Sequence, residues 1–199
     1  MYGQAEALLP LVDDAMHEAG LRPSALDFIA VTTGPGSFTG IRVGIAAARG
    51  IALAAGLPLI GVGSFAAVAH IVPSAAVASG CLLVALETRR PDLYVQLFDS
   101  ARRPLGEPAA TLPEALAATV AQVAPTSIAI AGDAAARAAT ALGKTFGAAM
   151  VESEPPVIGA LYAALQRWRE GERSSEVRPL YLRPPDVTVA GGRRPRGAS

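Results

Sequence analysis

Apolar residues recur at helical spacing from the start of the chain. Leu8, Val12, Ala15 and Ala19 share one face of residues 4–19, and Leu9, Leu11 and Met16 widen it. Gly20 is the expected stop, and Pro10 belongs in or near the first turn or else kinks the helix. "PSALD" reads as a short capped turn, and "FIAVTT", residues 28–33, as a buried strand. A loop, "GPGSFTG", leads into a helix over residues 39–55, ended by Gly56. "PLIGV" is a second strand, and Ser64 is placed as N-cap of the helix "SFAAVAHIV". Strand, helix, strand, helix predicts a parallel sheet with crossover connections.

The pattern changes between Pro73 and Gly80. "CLLVALETRRPDLYVQLFD" reads as an antiparallel hairpin around an Arg-Arg-Pro-Asp turn. Further helices are expected in "LPEALAATVAQVA", at residues 134–142 and in "VIGALYAALQRWREG", with a buried strand at "TSIAIAG". These patterns place a first α/β domain at residues 1–75, a second at 76–190 and a basic tail at 191–199.

Two stretches carry candidate chemistry. In the loop, Gly34 and Gly36 permit backbone angles closed to other residues, and Ser37 or Thr39 can cap the free amides of the following helix. Those amides are also an anion seat, although no lysine follows the glycines and the Gly-x-Gly-x-x-Gly spacing is absent. In the helix, Gly40, Gly44, Ala48, Ala52 and Ala55 form a smooth face that lets another backbone come close. Spacing leaves two readings: packing inside the domain, or an interface with another subunit. Arg42 and Arg49 lie seven apart on a different face, a spacing that Glu6 and Asp13 repeat in the first helix.

Composition narrows the classes. In 199 residues, 51% are hydrophobic and 17% charged, which is globular rather than disordered. Lys+Arg and Asp+Glu are equal at 17 each, so no overall field draws in nucleic acid. The single cysteine, Cys81, lies in an apolar run and reads as a small buried hydrophobe, which fits a reducing cytoplasm. Residues 50–86 carry no formal charge, but Gly56, Pro58, Gly61, Gly63 and Pro73 divide them into pieces of a packed core rather than a membrane span. His17 and His70 stand apart, with no cysteine or histidine cluster to hold a metal. Asp133, after "AIAG", reads as a loop cap.

The segment "GPGSFTGIRVGIAAARGIALAAGLPLIGVGSFAAVA" closely resembles the signature of the TsaB (YeaZ) family, and "AEALLPLV", "ALETRRPDLYVQLFD" and "PLYLRPP" agree in order. The resemblance implies an actin-like ATPase (ASKHA, RNase H-like) fold of two related α/β domains. It implies a non-catalytic scaffold in forming threonylcarbamoyladenosine beside the anticodon of tRNAs that read codons starting with A. The implied partners are a TsaD-like catalytic paralogue and a TsaE-like ATPase, with homodimers also formed and tRNA engaged only indirectly. ATP and metal belong to those partners, so no cofactor is expected on this chain. Family pairs form through the N-terminal-domain helices, which carries Leu8, Leu11, Val12, Gly40, Arg42, Gly44, Ala48 and Arg49 forward as an implied interface.

Two departures stand out. Where many members have Asp-x-Arg-x-Gly-Glu-Val-Tyr, this chain has Glu87-Thr88-Arg89-Arg90-Pro91-Asp92-Leu93-Tyr94, which alters the turn. Members also begin with strands before the first helix. Their counterpart would be roughly 30 residues, so a late start or a fragment is expected, with a first sheet of two strands. Two other classes stay open: a glycoprotease-like metallopeptidase, which needs a metal site, and an ATP-binding superfamily member, which needs a phosphate-binding strand. The arginine tail, Arg193, Arg194 and Arg196, is either solvated or in contact with phosphates.

Overall fold

The apolar runs of this chain are buried on both faces only where helices cover both sides of a sheet, and the architecture supplies that cover in alternating layers. The computed structural model describes residues 4–77, 80–123, 127–143, 148–150, 156–173 and 176–183. Its helices are α1 (Gln4–Glu18), α2 (Phe38–Ala55), α3 (Ser64–Ile71), α4 (Pro113–Ala121), α5 (Ala135–Leu142) and α6 (Pro156–Arg169). Its strands are β1 (Ile29–Gly34), β2 (Leu59–Gly63), β3 (Cys81–Glu87), β4 (Leu93–Phe98), β5 (Ala109–Thr111), β6 (Ile128–Ala131) and β7 (Ala148–Met150).

β1 and β2 pair in parallel as a two-stranded sheet, and the second sheet runs β5-β4-β3-β6-β7. In it β3 is antiparallel to β4, so the expected hairpin forms, and parallel to β6; the expected crossover is the parallel β1–β2 pair joined by α2. The short edge strands β5 and β7 are not anticipated from the sequence, because three residues carry too little alternation to register.

The middle layer is α3 with α6. On one side, Ala67 of α3 and Ala160, Ala163 and Ala164 of α6 bury Ile60 and Val62 of β2. On the other, Phe65 and Val68 of α3 cover Leu82 and Val84 of β3. The opposite face of β3, Leu83 and Ala85, is covered by Leu116 of α4 and Ala138 and Leu142 of α5. α2 caps the outer face of the first sheet through Ile41, Ile45, Ala48 and Ala52. That helix is long and apolar enough to cross a membrane, yet here it is the cover of a sheet.

The boundary at residue 75 separates the two sheets, but α6 returns from the C-terminal half to pack on the first. Residues 191–199 lie outside the described residues.

Local expectations shift in two places. Pro10 sits in the interior of α1, beyond the first turn, where it removes the bond its nitrogen would make to the residue 6 carbonyl. The N-cap of α3 is Gly63 rather than Ser64, which is the first helical residue, so no side chain caps that end. Gly56 takes the left-handed conformation that stops α2, as its position suggests.

Candidate functional site

The loop between β1 and α2 and the outer helices α1 and α2 hold the residues of interest. Gly34 ends β1 with a φ of 102°, and a Cβ there would meet Ile41 Cδ1 at 2.7 Å and the Leu180 carbonyl at 3.0 Å. Glycine is required by both conformation and space. Ser37 is the N-cap of α2, and its Oγ accepts from the Gly40 amide at 3.2 Å. Gly36 and Thr39 are exposed beside it. The loop is therefore a capped turn at the start of α2.

The small residues of α2 divide by position. Ala48 and Ala52 are buried against the first sheet, and Gly44 faces Val31 of β1 at ordinary contact distance. Their small size is thus used inside the chain, where it lets α2 sit close on β1. Gly40 is half-buried. Arg42 and Arg49 hold a C-terminal segment. Arg42 Nε donates to Tyr181 Oη at 2.8 Å and its guanidinium lies 3.7 Å over the Phe38 ring. Arg49 donates to the Val177 carbonyl. These C-terminal contacts span more than a hundred residues of sequence, and helical spacing carries no signal for them.

Leu8 and Val12 turn inward. They line an apolar groove of about 950 Å³ between α1, α2 and α6, along the edge of β1 that pairs with no strand among the described residues. Leu11 turns outward and is 63% exposed, and Leu53 of α2 is 85% exposed. Leu53 is not in the expected interface set. Its helix period places it between the buried positions, so burial alone identifies it.

The hairpin is held by charge. Arg137 of α5 donates to Glu87 at 2.6 Å and to the carbonyls of Arg90 and Pro91. The Glu87 amide donates to Asp133 Oδ1 at 2.9 Å, so Asp133 caps this loop as expected. Asp92 is buried, with Oδ1 accepting from Thr88 Oγ1 and Oδ2 paired to Arg183. His70 bridges helices, one ring nitrogen on the Ala66 carbonyl and the other on Gln166. Among the described residues no group of three or more His, Cys, Asp and Glu side chains is placed to hold a metal ion. Burial pushes the Cys81 thiol above its ordinary pKa.

Comparison with known proteins gives a consistent neighbourhood. The family model described as TsaD, tRNA N6-adenosine threonylcarbamoyltransferase, matches residues 4–168. An uncharacterized protein of Mycobacterium bovis is 34% identical over 183 residues, 92% of this chain and 76% of its own length. The tRNA threonylcarbamoyladenosine biosynthesis protein TsaB of Escherichia coli is 42% identical over 65 residues, 33% of this chain and 28% of that protein. The tRNA N6-adenosine threonylcarbamoyltransferase of Ruegeria is 53% identical over 62 residues, 31% of this chain, and the match spans only 17% of the transferase. Among solved structures, YeaZ from Pseudomonas aeruginosa superposes with a TM-score of 0.70 at 27% identity, covering 89% of this chain and 84% of that one.

Proposed function

The chain belongs to the TsaB (YeaZ) family, within the wider TsaD-type family, and on that premise we propose that it is a non-catalytic subunit in forming threonylcarbamoyladenosine on tRNA. The observation that carries this reading is the likeness to YeaZ along nearly the whole chain. In this reading it pairs with a TsaD-like transferase that supplies the reacting groups, with a TsaE-like ATPase and a homodimer as further assemblies. Nucleotide and metal stay with the partners, and tRNA is met only through the complex.

The pairing surface in this reading is the outer face of α1 and α2. Leu11 of α1 stands exposed, and so does Leu53 of α2, one turn beyond Arg49; large apolar side chains left open on these helices gain from being covered. Arg42 and Arg49 contribute charge at its border. The Gly34–Thr39 loop is the second candidate contact, with α2 amides that suit an acidic group of the partner.

The test is co-purification with the TsaD-like protein of the same cell, followed by reconstituted threonylcarbamoyl transfer to tRNA. The pair is expected to modify tRNA and this chain alone to leave it unmodified. Leu11→Arg with Leu53→Arg is expected to abolish pairing at unchanged melting temperature. Pairing that survives the double substitution removes the interface, and transfer by the isolated chain removes the non-catalytic assignment.

A further inference from the structure

Residues 176–183, which include the "PLYLR" motif, have no regular secondary structure, yet they touch both halves of the fold. Val177 is 4% exposed and completes the core of Ile41, Ile45 and Leu59. The Leu180 amide donates to the Thr33 carbonyl at the end of β1, 2.8 Å away. Tyr181 packs its ring 5.3 Å from Phe38 and takes the bond from Arg42. Leu182 packs on the core built from α3 and the second sheet. Arg183 Nη2 then lies 2.7 Å from Asp92 Oδ2, an ion pair without a well-aligned hydrogen bond.

We propose that residues 176–183 are a latch across the carboxyl ends of β1 and β3, with Arg183 on the buried carboxylate of Asp92 as its catch. Ordering eight irregular residues carries an entropic cost, so they stay in place only if anchored at both ends. Val177 anchors one end by burial, and Asp92 anchors the other by charge. The Asp92 side chain is 3% exposed and Arg183 is 38% exposed, so the cation bridges solvent to a carboxylate that water does not reach. Releasing Arg183 leaves that buried charge with the Thr88 hydroxyl but no cation, which favours the seated state. A seated latch also sets the outer face of α2, because Arg42 and Arg49 both end on it. It roofs a cleft of about 160 Å³ lined by Pro35, Phe38, Arg90 and Tyr94. The latch borders the proposed pairing surface but does not rest on that reading, because its test uses the isolated chain.

Hydrogen exchange by mass spectrometry on the full chain tests it, with Arg183→Ala, Arg183→Lys and the double variant Asp92→Asn, Arg183→Ala. The double variant has no buried unpaired charge and keeps the test open if the single variant fails to fold. The Leu180 amide is expected to exchange about tenfold faster or more in the double variant, with β6 amides unchanged. Arg183→Lys is expected to keep most of the protection. If Leu180 stays protected in the double variant, or loosens only together with β6, the latch reading is overturned.

Discussion

Among the glycines of the described residues, Gly159 leaves the least room for a side chain, and it gives the sharpest prediction. At Gly159 the backbone of α6 lies on α3: a Cβ there would sit 1.8 Å from the Ala67 carbonyl oxygen and 2.8 Å from the Ala67 carbonyl carbon and Ile71 Cγ2. The nearest atom is helix backbone, so no side chain can swing aside. Restoring an ordinary carbon–oxygen contact of about 3.3 Å requires the two helices to part by roughly 1.5 Å. That separation loosens Ala160, Ala163 and Ala164 from Ile60 and Val62. Overpacking of this kind costs about 1–3 kcal/mol, and more where backbone must move. With helix backbone in the way the upper end, about 3 kcal/mol, applies, and alanine returns about 1 kcal/mol of helix propensity, so Gly159→Ala is expected to destabilise by about 2 kcal/mol. For a chain of this length that is a fall of about 4–8 °C in melting temperature. Gly50 is the control: it is also inside a helix, but a Cβ there meets nothing within 4 Å. Gly50→Ala is expected to gain up to about 1 kcal/mol. The single tryptophan, Trp168, stacks on Phe28 with centroids 5.2 Å apart, and its emission follows unfolding. A Gly159→Ala protein as stable as wild type would refute the α3–α6 contact.

Arg137→Ala removes an ion pair whose side chains are 37% and 31% exposed, which is worth well under 1 kcal/mol, but also two bonds to hairpin carbonyls. A total loss of about 1–2 kcal/mol is expected by thermal melting, with faster amide exchange confined to residues 87–93. Cys81 is expected to resist thiol reagents in the folded chain and to react at once in denaturant. Because burial raises its pKa, folding favours the neutral thiol. The unfolded chain ionises first as pH rises past the ordinary value of 9.0, so this site's stabilising contribution is full below that pH and is lost above it. A pH series of urea midpoints for wild type and Cys81→Ala isolates the effect, which must vanish in the variant. Gly61→Ala puts a Cβ 2.8 Å from Thr33 Cγ2 and 3.0 Å from Val177 Cγ1, so it is expected to loosen residues 176–183 more than β2 itself, read by exchange at Leu180.

The elements whose physics is local were legible along the chain. α2 shows a long apolar period with a serine before it and a left-handed glycine after it, and β3 is apolar at successive positions because both faces are covered. The hairpin follows from two apolar runs around a turn, and the family from a long uninterrupted motif. Which neighbour each face meets emerged only from the packed layers. The glycines and alanines of α2 read equally as a subunit face or as a seat on the sheet, since periodicity states that a face is smooth and not what lies against it. Among the described glycines the one with least room is instead Gly159, inside a helix that looks ordinary along the chain. Arg42, Arg49 and Asp92 find their partners at Tyr181, Val177 and Arg183, some ninety or more residues away, and no spacing rule spans that distance. Hydrogen bonds and ion pairs of that reach exist only once the layers have stacked, because folding, not sequence proximity, brings the groups together.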